Sequence, residues 1–151
     1  MMKRLLFLML TCLTLASCSS VHMPSYIQDD YPYQDLIYAD YDKTVDAVRD
    51  TLISLGWEIT DMVDPAVYER NKILDSPYDQ HTMIFTDVRQ TRLFVGTRYQ
   101  RMNIYLKSID KNSTHIEVRY LTASSFLFKT FYAHKNDAVV KRIINAIEEN
   151  I

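Results

Sequence analysis

The stretch YQRMNIYLKSIDKNSTHIEVRYLT, Tyr99 to Thr122, decides the fold. Apolar and polar residues alternate in both of its halves, and the residues DKNS between them, Asp110 to Ser113, form a turn signal. Two alternating segments around a short polar turn predict an antiparallel hairpin with one buried face and one solvent-exposed face. The residues expected to face inward are Met102, Ile104, Leu106, Ile116, Val118 and Tyr120.

Amphipathic helices are predicted before and after this hairpin. The first runs from Lys43 to Leu55, with Asp42 as its cap and Gly56 at its end. The second begins at Asn136 or Asp137. Their apolar stripes have helical spacing and consist of Val45, Val48, Leu52 and Leu55 in the first, and Val140, Ile143, Ile144, Ile147 and Ile151 in the second.

Further strands are expected at Trp57–Thr60, Thr82–Thr86 and Val88–Val95, and residues 64–80 are expected to form a loop. A run of strands between two helices predicts an α+β domain. Its antiparallel sheet would have about four strands, with two amphipathic helices packed on one face.

The order of these elements, with the first helix leading into LGWEIT at Leu55–Thr60, resembles the helix-grip domains of bacterial lipoproteins. One such domain is the C component of the outer-membrane β-barrel assembly machinery. The resemblance is one of pattern, covers roughly Tyr38–Ile151, and implies a helix-grip-like fold.

The N-terminus has the features of a secretory signal: Lys3 and Arg4 precede an apolar run of about a dozen residues, which is too short for a transmembrane helix. The segment Leu15-Ala16-Ser17-Cys18 resembles the lipobox of bacterial lipoproteins. This resemblance implies cleavage before Cys18 and a lipid anchor on Cys18. It also implies, because Ser19 rather than aspartate follows, transfer to the periplasmic side of the outer membrane. An ordinary signal peptide is the alternative.

The predicted organisation is therefore a signal peptide at 1–17, a lipidated N-terminus with a flexible tether at 18–40, and a single domain at 41–151. The tether carries Pro24 and Pro32 and no periodic pattern. It also holds several of the chain's 11 tyrosines. These would either lie along the chain's own domain or contact a partner.

Composition excludes several classes of function. The formal net charge of −2 argues against binding to nucleic acid, which requires a basic surface. Two glycines cannot supply a glycine-rich phosphate loop, so no nucleotide site is expected. Of the two cysteines, Cys12 would leave with the signal and Cys18 would carry lipid, so the mature domain would have no free thiol.

No catalytic or metal-ligating pattern is present in the sequence. The histidines lack paired metal-ligand spacings, and no GxSxG elbow surrounds a serine. We expect neither an enzyme nor a bound cofactor or metal. The expected function is that of a lipid-anchored module that binds another component of the cell envelope; a small-ligand or lipid carrier is the alternative.

Two sets of residues are candidates for contacting a partner. The stretch SSFLFKTFYAHK contains Phe126, Phe128, Phe131 and Tyr132, and could either fold back into the core or present an aromatic patch. Arginines cluster around Gly96, and Arg98 and Arg101 are the candidates among them to meet an acidic partner or lipid headgroups.

Overall fold

The computed structural model describes residues 21–72, 80–126, 129–134 and 137–151, with the backbone alone for Asn71 and Phe126. Seven strands and two helices form within these ranges. In chain order they are β1 (Tyr33–Ile37), α1 (Tyr41–Ser54), β2 (Ile59–Val63), β3 (His81–Thr86), β4 (Arg89–Arg92), β5 (Thr97–Asp110), β6 (Ser113–Phe126), β7 (Lys129–Ala133) and α2 (Asp137–Glu148).

The hairpin of β5 and β6 forms the centre of the sheet. Its two strands pair antiparallel from Thr97 opposite Ser125 to Asp110 opposite Ser113, and the predicted turn lies at Asp110–Ser113. Each strand has 14 residues, longer than the alternation predicted. The extra length lies at the end away from this turn, where β4 pairs with β5 and β7 pairs with β6.

All strands in the described ranges pair antiparallel, in the order β1-β6-β5-β3-β2, with β4 and β7 attached at the far ends of β5 and β6. The predicted fold class, an α+β sheet of about four strands with two helices, is therefore wrong. The described chain is mostly sheet, with seven strands and only two helices. β1 and β7 account for much of the difference. β1 pairs with a part of β6 about 80 residues later in the chain, and β7 forms a short hairpin with the end of β6.

The first helix lies where the sequence predicts it, with small shifts at its ends. The cap is Asp40 rather than Asp42, and its carboxylate accepts from the Lys43 N–H at 2.9 Å. Gly56 follows the helix with a φ of 76°, a left-handed conformation that glycine adopts without strain. This turn leads the chain directly from α1 into β2.

One core lies between the helices and the face of the sheet that carries Ile104 and Ile116. We call this face the helix side. Leu52 of α1 and Ile147 of α2 are fully buried against it, and Trp57 meets Tyr120 edge to face at 6.3 Å. Each buried aliphatic side chain contributes about 1.5–3 kcal/mol to stability.

The opposite face of the sheet is covered by the chain's own N-terminal segment, residues 22–27, here called the strap. Ile27 in the strap is fully buried, and its N–H donates to Asn103 Oδ1 at 2.6 Å. Asn103 Nδ2 in turn donates to the Ser25 carbonyl at 3.0 Å. We call this face the strap side. Residues 21–40, which were expected to be a flexible tether, thus differ from the prediction: they contribute the strap and β1 to the domain.

Candidate interaction surface

A buried cluster of charges fastens the segment 64–72 to the strap side. Arg119 Nη1 lies 2.8 Å from Glu69 Oε1, and Lys72 Nζ lies 2.5 Å from Glu117 Oε1. Arg119 and Glu117 are both buried on β6. Burial disfavours the charge of Arg119, but the Glu69 carboxylate, together with the neighbouring Tyr26 and Glu117, more than offsets this, so the pKa of Arg119 lies above its ordinary value.

Aromatic rings complete this cluster. The Tyr26 ring of the strap stacks on Tyr68 at 5.1 Å, and the Tyr26 hydroxyl accepts from Arg119 Nη1 at 2.8 Å. Lys72 Nζ lies 4.0 Å above the ring of Tyr105. Burial raises the pKa of Tyr105 to about 12, and the nearby carboxylates of Glu117 and Glu69 add to the shift. Because each charged group faces an opposite charge, the cluster is suited to holding the fold together.

The turn between β4 and β5 presents an apolar tip. Leu93, Phe94 and Val95 are all exposed, and the Phe94 side chain is exposed completely. The turn is closed by the Leu93 N–H, which donates to the Gly96 carbonyl at 3.1 Å, and Gly96 has a φ of 108°. Three consecutive exposed apolar side chains carry a hydration cost that burial against a partner would remove.

Strand register divides the four arginines around this tip between the two faces. Arg89 and Arg98 lie on the helix side, and Arg92 and Arg101 lie on the strap side. Arg101 is held within the fold, because its Nε donates to the Thr86 carbonyl and its Nη1 to the Met23 carbonyl, each at 3.0 Å. Of the two predicted arginines, Arg101 thus fastens the strap, whereas Arg98 is exposed.

Arg92 and Arg98 are exposed, and among the described residues neither has an ion-pair partner. Arg89 differs, because its guanidinium lies over Trp57 at 5.6 Å and donates to the Leu55 carbonyl at 3.1 Å. Within the described ranges, two positive charges beside the apolar tip therefore have no acidic neighbour in contact.

The predicted aromatic stretch forms a hairpin rather than a connection to the last helix. Phe131 and Tyr132 lie on β7, are about half exposed, and point to opposite faces of the sheet. The Tyr132 hydroxyl donates to the His22 carbonyl at 3.3 Å. The Phe126 backbone ends β6, and Phe128 lies outside the described residues.

These elements meet at one end of the sheet. Thr97 pairs with Ser125, and Phe126 pairs with Lys129. The β4–β5 turn, the C-terminal end of β6 and the beginning of β7 therefore lie together, away from the Asp110–Ser113 turn. We call this region the distal end; its described residues are Arg92, Leu93, Phe94, Val95, Arg98, Lys129 and Phe131. The sequence contains no Asp or Glu from Val88 to Ile109 or from Val118 to Asn136. The distal end is therefore apolar and basic in a chain whose net charge is negative.

The tip itself was missed by sequence reasoning, which assigned Val88–Val95 to one strand. The structure ends the strand at Arg92 and leaves Leu93 to Val95 in the turn. The signal that could have indicated a tip is the run LFVG between two arginines, Arg92 and Arg98, in a stretch without acids.

Other kinds of site find little support in the described ranges. No group of three or more His, Cys, Asp or Glu residues there is placed to hold a metal. His81 Nε2 lies 3.1 Å from Asp64 Oδ1, and His115 Nε2 lies 3.4 Å from Glu117 Oε1, so both histidines already have acidic neighbours. A carrier would need space between helices and sheet. Fully buried side chains such as Val48, Ile104 and Ile147 occupy the centre of that interface, and an open pocket of about 350 Å³ lies at its edge beside Trp57 and Arg142.

A scan against protein-family models finds no match to this chain, and a search of curated proteins also finds none. Neither described helix is long and apolar enough to cross a membrane. Cys18, the predicted lipidation site, lies outside the described residues.

Proposed function

We propose that this chain is a lipid-anchored lipoprotein of the bacterial cell envelope, without enzymatic activity, whose domain binds another envelope component through the distal end. The observation that supports this most directly is the exposed tip Leu93-Phe94-Val95 with Arg92 and Arg98 beside it, neither of which has an ion-pair partner in the described part of the chain. An apolar patch rimmed by charge is typical of an interaction site.

The anchor is the second part of the proposal. Lys3, Arg4, the apolar run and Leu15-Ala16-Ser17-Cys18 occur in the order of a lipoprotein signal. Two or three acyl chains on Cys18 would hold the protein stably at a membrane, at about 0.8 kcal/mol per buried methylene. Ser19 favours the outer membrane, with the domain facing the periplasm.

Metabolic labelling with palmitate tests the anchor. The wild-type protein and a Cys12→Ala control should incorporate label and fractionate with membranes, because Cys12 lies in the signal. Cys18→Ala should incorporate no label. Label in Cys18→Ala, or its absence from the wild type, would contradict the lipoprotein proposal.

Crosslinking in native membranes tests the distal end. Phe94→Asp should lose the envelope component recovered with the wild-type protein, while Ile109→Asp, an exposed apolar site on β5 near the opposite turn, should retain it. Circular dichroism should show both variants folded. Equal recovery with Phe94→Asp and Ile109→Asp would contradict the assignment of the distal end.

A further inference from the structure

We infer that the component bound by the distal end is the anionic lipid surface in which the anchor itself sits. This inference depends on the proposed lipid anchor at Cys18. In this arrangement Leu93, Phe94 and Val95 insert among the headgroups and upper acyl chains, while Arg92 and Arg98 contact lipid phosphates.

The path of the strap supports this orientation. Ile27 and Ser25 lie at Asn103, Met23 lies at Arg101, and His22 lies at Tyr132. Tyr132 pairs with Ala123, which pairs with Tyr99, so the chain moves toward the distal end as it is followed back from Ile27 to His22. The strap therefore leads the N-terminus to the same end of the sheet as the tip.

The remaining length of chain places the anchor near the tip. Cys18 precedes His22 by four residues, which span at most about 14 Å. Phe94 lies five residues before Tyr99, across the β4–β5 turn, so the two are at most about 17 Å apart. An anchor on so short a connection holds the distal end, rather than the Asp110–Ser113 end, next to the lipid surface.

Charge complementarity favours lipid as the occupant. The distal end combines exposed apolar side chains with arginines, and long basic side chains can reach headgroups while their stems lie along apolar surface. The opposite end of the sheet differs, since Asp40, Asp42 and Asp110 lie together beside the turn and outnumber the basic residue there, Lys111. An anionic surface would attract the distal end and repel the other.

Tryptophan fluorescence of the lipidated full-length protein in phosphatidylglycerol-containing vesicles tests the inference. Two variants, Phe94→Trp and Ile109→Trp, both retain Trp57, so the signals differ only in the added indole. The Trp at position 94 should emit at shorter wavelength and be quenched by brominated acyl chains. The Trp at position 109 should be quenched by iodide in the water.

Neutralising the arginines tests the electrostatic part. In the Phe94→Trp protein, Arg92→Gln with Arg98→Gln should lower the ratio of lipid-quenched to water-exposed indole about 30-fold, which corresponds to about 1 kcal/mol per arginine. Lys111→Gln with Lys141→Gln removes the same charge from exposed sites elsewhere and should leave the ratio unchanged.

Quenching of both indoles by iodide alone, in protein that carries lipid on Cys18, would overturn the inference and leave the lipoprotein proposal standing. In that case the distal end would bind a protein. Absence of lipid from Cys18 would instead overturn the proposed function, and with it the basis of this inference.

Discussion

Asn103 of β5 holds Ile27 of the strap in place: its side-chain oxygen accepts from the Ile27 N–H at 2.6 Å, where both residues are buried. The same side chain donates to the Ser25 carbonyl. One amide therefore satisfies two backbone groups of a segment that has no strand pairing of its own. The course of the strap from Ile27 toward the distal end depends on this contact and on Arg101.

Asn103→Ala should loosen the strap. The buried Ile27 N–H would lose its acceptor, at a cost of about 1–3 kcal/mol, and amide hydrogen exchange should accelerate across residues 23–27. Asn145→Ala, on the exposed side of α2, is the matched control. Equal exchange rates in the two variants would show that Asn103 does not hold the strap.

Arg119→Leu should destabilise the fold by about 3–5 kcal/mol in urea denaturation, because it leaves the Glu69 carboxylate buried without its partner. The double variant Arg119→Leu with Glu69→Leu should recover part of this loss. Arg142→Leu, at an exposed position, should change stability by about 0.5 kcal/mol or less. If the double variant is no more stable than Arg119→Leu, the pairing does not explain the cost.

Stability should fall as the pH rises from about 10 through about 12. Burial raises the pKa of Tyr105 and of Tyr41 to about 12 in the folded chain, against an ordinary value of 10. Between these values the unfolded chain has lost the phenolic protons and the folded chain retains them, so the equilibrium shifts toward unfolding. Urea denaturation at several pH values should show a smaller decline for Tyr105→Phe and an unchanged decline for Tyr38→Phe, which alters an exposed ring.

Ile147→Ala should cost about 2–5 kcal/mol, because Ile147 is fully buried between α2 and the sheet. Ile151→Ala removes the same atoms from a side chain that is nearly half exposed and should cost much less. Thermal denaturation of both variants gives the comparison. Similar losses would contradict the placement of α2 against the helix side.

The parts of the fold that were predicted from sequence are those set by local patterns. The hairpin could be predicted because Tyr99–Thr122 alternates on both sides of its turn, and α1 because its apolar spacing lies between a cap and Gly56. β1 could not, since its sequence YQDLI does not alternate cleanly and its pairing partner is about 80 residues away. β7 was missed for a different reason, because its aromatic stretch was interpreted as a connection to the last helix although it pairs with the adjacent end of β6. The predicted count of about four strands, and with it the fold class, was therefore wrong.

The candidate surface was predicted only in part. Phe131, Tyr132 and Arg98 do lie near the distal end, but whether an arginine is free depends on what covers it. Arg101 donates a hydrogen bond to the carbonyl of Met23, a residue 78 positions earlier in the chain. The pairing of Lys72 with Glu117 likewise joins residues 45 positions apart, which no spacing rule indicates.

In this account, the lipid surface that holds the anchor also covers the distal end. Thiol labelling in native membranes tests this claim most directly. Phe94→Cys and Ile109→Cys each place one thiol in a mature domain that otherwise lacks any. With a maleimide that does not cross lipid, Ile109→Cys should react much faster than Phe94→Cys in membranes. The two should react at similar rates in protein produced without residues 1–18, which carries neither the signal nor the anchor. Equal rates in membranes would contradict the account.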